Sequence, residues 1–566
     1  MLKYGYHFRG IIIMKKILSV LISLMLVSGL ILAGCGKEEE PEKEMYLASD
    51  TATVVTYTKD DDGNLVPSGE EVRGTKVVLK GKTVTQDEIN YEPLKKAEDA
   101  EKDDPTIYFA QSDLVETPEE CVREKDKYVR TSVTPVAGVD DCTIKGFIWK
   151  GSHVSITGFD SLSSDGLVNM YQVTADDGTE GWVYAKYLVD TQEDANAVNQ
   201  EYYELNKDKI YDGLDLYGGD PGNLDYFYYD KVVNSSSVMP SECRAYYLNA
   251  GCIDAMDDYI DCCREANANA VVIDIKDGAL AYHAEIANSY TPSSYETAYH
   301  NNADYKAGVQ KAKDAGLWTI GRIVVFNDSF FADDNPGECI LEYGENAGWP
   351  SAYSRKAWEY NVKLAISAVQ EMGFNEIQFD YVRFPENAYG LSDSGAADFR
   401  NTYGEEKAQA VQNFCRYAAD SIHQAGAYFS VDVFGECSDG YVTAYGQYWP
   451  AISNVVDAVS SMPYIDHFGR EAYTWTDGYS TMYNWARGAY DSQQWTPNPA
   501  RPRTWLTCYS VPYWEPEIPV TSPFLEDQIQ ALWDAGIGDG GFITWNVASN
   551  LGIYYTVAPA FARSYQ

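Results

Sequence analysis

Glu376-Ile-Gln-Phe-Asp380-Tyr-Val-Arg383-Phe-Pro385 decides how the rest of this chain is read. Ile377, Phe379, Tyr381 and Val382 suit a pleated, buried strand. Asp380 lies inside that run and Arg383 closes it. A carboxylate among apolar neighbours is costly unless it is paired, hydrogen-bonded or wetted. The open C-terminal mouth of a parallel sheet is the cheapest place to wet it. Pro385, with no N–H to donate, stops the strand. The bland alternative is an Asp380–Arg383 pair that merely closes a strand end.

Seven further strand-like runs surround this one: Arg244–Asn249, Ala270–Asp277, Leu317–Phe326, Ala427–Phe434, Val456–Tyr464, Arg503–Tyr509 and Gly541–Asn546. Helical patterns fill the gaps. Trp358, Val362, Ala365/Ile366, Val369 and Met372 keep a 3.6-residue rhythm that stops at Gly373, and Phe524, Ile529 and Leu532/Trp533 precede Gly536. Eight β-then-α units predict an α/β fold, a (β/α)8 TIM barrel over 243–566. The rival, a doubly wound sheet, lacks a Gly-rich phosphate turn after the first strand.

In such barrels the chemistry sits at the C-terminal strand ends and in the loops that follow. Asp274, Lys276, Asp277, Arg322, Asp380, Arg383 and Asp432 gather there, with Glu436 just beyond. Strand alternation puts Asp274 and Lys276 on one face and gives Arg383 the opposite parity to Asp380. Tyr464 and His467 follow the sixth strand; Trp545 and Asn546 end the eighth. Several carboxylates and many aromatics suit glycosidic bond cleavage, which needs one acid for the leaving oxygen and a second carboxylate as nucleophile or base. Asp380, Asp432 and Asp274 are the candidate catalytic residues, with Asp432 the first-ranked partner of Asp380. Lys276, Asp277, Arg322, Arg383, Glu436, Tyr464, His467, Trp545 and Asn546 are candidates for holding substrate. Lys276 and Arg322 would also keep a carboxylate ionised. The competing explanation is a set of salt bridges plugging the barrel top.

Composition narrows the classes. A net charge of −42 over 566 residues repels nucleic acid and other polyanions. The six His form no HxH, HExxH or i,i+4 pair, which argues against a His-rich metal hydrolase. The eleven Cys include no CxxC, so neither a zinc ribbon nor a disulfide scaffold is expected. No cofactor or metal is implied; oxygen-rich loops at Asn327-Asp328 and Asp333-Asp334 are too weak a signal for calcium.

Residues 1–35 read as a signal peptide, with Lys15 and Lys16 before an apolar run from Ile17 to Leu32. The ending Leu32-Ala-Gly-Cys35 resembles a bacterial lipobox, which implies lipidation of Cys35 and an extracytoplasmic, lipid-anchored location at the cell membrane. Residues 36–45 form a charged spacer. Residues 46–125 and 126–190 are β-like and turn-rich, and 191–242 read as a linker with a helix near 193–208. The ending Gly181-Trp-Val-Tyr-Ala-Lys-Tyr-Leu188 resembles bacterial SH3-like domains, small barrels that bind wall polymers or act as spacers; 46–125 reads as a degenerate copy.

The barrel motifs resemble a bacterial family of glycoside hydrolase-like (β/α)8 barrels. The residues that carry the likeness are Asn269-Ala-Val-Val-Ile-Asp-Ile-Lys-Asp277, the Glu376–Pro385 stretch, Asp432-Val-Phe-Gly435 and Trp545-Asn546. The sixth strand departs: Ser460-Ser-Met-Pro-Tyr-Ile-Asp-His467 keeps the family's Met, Tyr and His but not its prolines. The resemblance implies a carbohydrate substrate and a strand-four carboxylate as nucleophile or base, although fold alone does not fix function. The alternatives are a non-catalytic carbohydrate- or wall-binding lipoprotein, and a wall amidase or peptidase, which lacks the expected Cys–His or metal pattern.

Overall fold

Apolar runs at the predicted places become eight parallel strands, and their register closes a ring. They are β1 (Cys243–Leu248), β2 (Ala270–Asp277), β3 (Trp318–Val324), β4 (Glu376–Asp380), β5 (Tyr428–Phe434), β6 (Ala458–Met462), β7 (Thr504–Thr507) and β8 (Gly541–Trp545). Neighbours pair in parallel from β1 through β6, and β8 pairs with both β7 and β1. A short piece ahead of β7, Arg501–Pro502, pairs with β6, and the Arg503 N–H reaches Val459 O at 2.8 Å. This is the last seam of the cylinder. The computed structural model describes residues 43–96, 107–138, 142–197, 217–232, 234, 237–468, 477–512, 517 and 519–565. The expected signal peptide, Cys35 and most of the spacer lie outside them.

A helix follows each strand: α1 (Met256–Ala266), α2 (Asn302–Asp314), α3 (Arg355–Ser367), α4 (Lys407–Gln424), α5 (Trp449–Ser453), α6 (Gly478–Gln494), α7 (Ser522–Ala535) and α8 (Leu551–Ala562). The α3 rhythm runs on through a wider turn, Ala368–Met372, to Gly373 at φ +84°, and α7 ends at Gly536 with φ +91°. Both glycines take the left-handed conformation that closes a helix C-terminus.

Inside the barrel, β4 alternates Glu376, Gln378 and Asp380 on one face, and each anchors a layer. Glu376 accepts from Arg503 Nη1 at 2.6 Å, Ser430 Oγ at 2.6 Å and Trp318 Nε1 at 2.9 Å. Gln378 Nε2 donates to Asp432 Oδ1 at 2.7 Å and Ser460 Oγ at 3.0 Å. Asp380 forms the top layer. The strand stops there rather than at Pro385: Tyr381 turns into the left-handed region at φ +54°.

The chain divides into two compact units. The first comprises the described residues up to Arg123 with Ser164–Gly166. Its strands, from Glu44–Leu47 to Leu114–Val115, form one eight-stranded antiparallel sheet over Leu47, Val54, Val77, Leu94 and Phe109. Because that sheet starts at Glu44, the last two residues of the expected spacer are already structured.

The second unit holds the barrel and a seven-stranded antiparallel sheet spanning Asp126–Val189. The two share a buried seam. Arg416 of α4 donates to Asp225 Oδ2 at 2.6 Å and to Val133 O at 3.1 Å, while Tyr187 OH donates to Asp420 Oδ2 at 2.6 Å. Arg355 of α3 lies between the rings of Phe147, Trp358 and Tyr403. The 191–242 stretch expected as a linker is therefore partly wall: Asp225 is buried in this seam, and Leu224 and Tyr226 pack on Tyr448 and Ala451. The expected helix near 193–208 is described only as Gln192–Asn196.

Candidate active site

Parallel register places Asp274 of β2 beside Arg322 of β3, and Val324 beside Asp380 of β4. Three charged strand ends thereby meet at the mouth, with the Arg322 guanidinium as their hub. Its Nη1 donates to Asp274 Oδ1 at 2.7 Å and Asp277 Oδ2 at 3.1 Å; its Nε and Nη2 both donate to Asp380 Oδ2, at 3.1 and 2.7 Å. Asp380 Oδ1 accepts the Tyr381 N–H at 2.7 Å. A left-handed aromatic residue costs roughly 1–2 kcal/mol, and such strain persists where surrounding structure imposes it.

Above Arg322 and Asp380 opens a cleft of about 220 Å³. Tyr381, Phe434, Tyr464, Trp505, Tyr509 and Trp545 supply rings to its wall, and Arg383, Glu386 and His467 supply polar groups. Trp545 packs on Tyr247 with ring centroids 4.5 Å apart and lies 5.4 Å from the Arg322 guanidinium carbon. Arg383 has left the sheet, as its parity required. It is buried, 4.1 Å from the Phe434 ring, and donates to Glu386 Oε1 at 3.0 Å. Burial lowers its pKa.

Asp274 and Asp432 support this floor but do not border the cleft, which corrects the expectation that both stand with Asp380 as catalytic groups at the mouth. Asp274 is 3% exposed, and Tyr247 OH donates to its Oδ2. Burial raises its pKa to about 6 against the pull of Arg322. Asp432 is fully buried. Its Oδ1 accepts from Gln378 Nε2 at 2.7 Å and Trp505 Nε1 at 2.8 Å, and its Oδ2 has no partner among the described residues. Burial first, and the charge of Asp380 second, push its pKa well above the carboxylate range. Both effects favour the neutral form of this carboxyl in the barrel core.

Lys276 is a second correction. The β2–β3 register slips between Asp274 and Lys276, so strict alternation fails there. Lys276 Nζ instead donates to Asp328 Oδ2 at 2.5 Å and Asn361 Oδ1 at 2.8 Å, in the buried layer between strands and helices. This bond also commits Asp328. Asn546 is likewise structural: it donates to Cys508 O at 2.8 Å and accepts from Asn550 N. Asp277 meets Arg322 with its side chain 47% exposed and lies outside the cleft wall. Among the described residues, no group of three or more His, Cys, Asp or Glu is placed to hold a metal ion.

Glu436 borders a second cavity, of about 590 Å³, beside the first. Its carboxylate accepts from Tyr441 OH and, at 2.9 Å, from Tyr445 OH. Sequence reasoning missed Glu386, which sits one residue past the motif that carried the argument, and Tyr381, read only as a strand residue. Glu386 borders both cavities.

Residues 246–551 match the family described as "Putative glycosyl hydrolase domain". The chain belongs to this family. The glycosyl hydrolase domain thus spans the barrel from β1 to the start of α8, including every residue of the Arg322 hub. No curated protein matches the chain. Among solved structures, this glycosyl hydrolase is similar to a hypothetical protein from Ruminiclostridium thermocellum (27% identity, 33% of this chain and 97% of that one, TM-score 0.28). It is also similar to the PgaB (BpsB) glycoside hydrolase domain from Bordetella bronchiseptica (13% identity, 56% and 99%, TM-score 0.37). A third is GH5_18 from Streptomyces cattleya in complex with GlcNAc (10% identity, 57% and 80%, TM-score 0.39).

Proposed function

We propose that this glycosyl hydrolase cleaves a glycosidic bond in a poly- or oligosaccharide, with Asp380 and Glu386 as its working carboxylates. The observation that carries the reading is that, among the described residues, these two are the acidic side chains bordering the 220 Å³ cleft. Asp380 attacks the anomeric carbon or takes the proton of the attacking water. Glu386, its side chain 70% exposed at the rim, gives its proton to the leaving oxygen. Arg322 holds Asp380 fixed through two of its nitrogens, so little reorganisation is left for the transition state. Trp545 and Tyr464 offer ring faces to the sugar, and His467 a hydrogen bond.

Beyond the barrel, the lipobox supports a lipid-anchored place at the cell surface, with Cys35 as the lipidated residue. The 126–190 sheet is read as SH3-like, with the 46–125 sheet as its degenerate relative. The buried seam on α3 and α4 favours a supporting role for 126–190 over free wall binding. A non-catalytic carbohydrate binder is the second reading, because Arg322 pairs with Asp274, Asp277 and Asp380. The open cleft and the exposed Glu386 weigh against it.

The test is a screen of the lipid-free chain against plant, host and wall glycans, measuring released reducing ends. Asp380→Asn is expected to abolish release while the chain still unfolds cooperatively, at a somewhat lower melting temperature because one amide NH2 must face a donor. Full turnover by that variant removes Asp380 from the mechanism.

A further inference from the structure

We infer that the leaving group of this enzyme is itself a glycan chain, seated in the 590 Å³ cavity beside the cleft. The inference rests on the roles proposed above for Asp380 and Glu386. The two cavities share Glu386, Phe434, Met462 and His467 in their walls, so they form one groove rather than two separate hollows. Glu386 stands at the junction. An acid that protonates the leaving oxygen must lie at the scissile bond. The sugar that becomes the new reducing end therefore sits over Asp380, and the leaving group extends past Glu386.

The larger cavity has the two-faced character that a pyranose chain requires. Phe434, Pro463 and Phe468 offer apolar surface for C–H ring faces, and Glu436, Asp439 and Tyr445 offer hydroxyl partners. Glu436 is already oriented by the Tyr441 and Tyr445 hydroxyls, so binding a sugar hydroxyl there costs little further ordering. A small aglycone would leave this cavity unfilled. A chain of two or more units fills it, and that binding energy is available for positioning the reacting bond.

The test compares kcat/KM of the lipid-free full chain on p-nitrophenyl glycosides and on oligosaccharide ladders of β-1,4-linked glucose, xylose and N-acetylglucosamine. The expected result is a rise of about tenfold or more as the leaving group lengthens from one to three units, with aryl glycosides the poorest substrates. Glu436→Gln and Phe468→Ala, checked for unchanged melting temperature, should each reduce the preference for long over aryl leaving groups about tenfold. A flat dependence on length, or an undiminished preference in both variants, overturns the inference while leaving the hydrolase reading intact. No turnover of any probe by the unmodified chain overturns both.

Discussion

Arg322 grips a single oxygen of Asp380 through two of its nitrogens, Nε at 3.1 Å and Nη2 at 2.7 Å. That fork is specific to a guanidinium; an ammonium retains the charge but loses the two-point hold. Arg322→Lys is therefore expected to lower kcat about a hundredfold with little change in KM. Arg322→Met leaves three carboxylates without their cation and should destabilise the fold by about 3–5 kcal/mol. Steady-state kinetics and urea unfolding of the two variants check this pair of outcomes.

The pKa of Asp274, near 6, predicts a pH signature. The folded value lies above the ordinary carboxylate value of 3.8, so the folded state binds the proton more tightly than the unfolded chain. The associated stabilisation is present below about pH 3.8 and is lost as pH rises through 6. At about 1.4 kcal/mol per unit, the change amounts to about 3 kcal/mol. Asp274→Asn should flatten stability across this window. It should also shift any limb of the kcat/KM profile near pH 6. Chemical denaturation at stepped pH, with matched rate profiles, measures both.

Asp432 should tolerate an isosteric neutral replacement. Its Oδ1 accepts two hydrogen bonds and its Oδ2 accepts none among the described residues, so an Asn amide oxygen can take the first position and the NH2 the second. Asp432→Asn is expected to retain activity within about tenfold, whereas Asp432→Ala leaves Gln378 and Trp505 without an acceptor and costs about 1–3 kcal/mol. A thousandfold loss in the Asn variant would instead give Asp432 a direct part in the chemistry.

The Arg416–Asp225–Val133 seam predicts that the 126–190 sheet and the barrel unfold together. Arg416→Ala should lower stability by about 3–5 kcal/mol, because a buried Asp225 is left without its cation. A barrel truncated at residue 243 should fail to fold cooperatively. Tryptophan fluorescence and calorimetry decide the matter: a truncated barrel with the melting temperature of the full chain refutes it.

Much of the architecture was legible in the residues. The eight runs from Arg244 to Asn546 carried enough apolar density to be read as strands, and Gly373 and Gly536 marked helix ends. Asp380 was legible because a carboxylate among Ile377, Phe379 and Val382 has few affordable positions. The fate of Lys276 was not legible. A period of two sets parity only while register holds, and the slip after Asp274 arises from pairing with β3, far away in sequence. The loop residue Glu386 carried no periodic signal at all.

The sequence by itself determined which segments become strands, which become helices, and that a carboxylate ends the fourth strand, because these follow from local apolar spacing and the cost of burying charge. Only the tertiary structure decided how deep each acid lies. Asp432 is sealed in the barrel core, Asp274 is buried beside Arg322, and Glu386 is exposed at the rim. Depth depends on the stagger between neighbouring strands and on what packs over them, and no single stretch of chain contains that information.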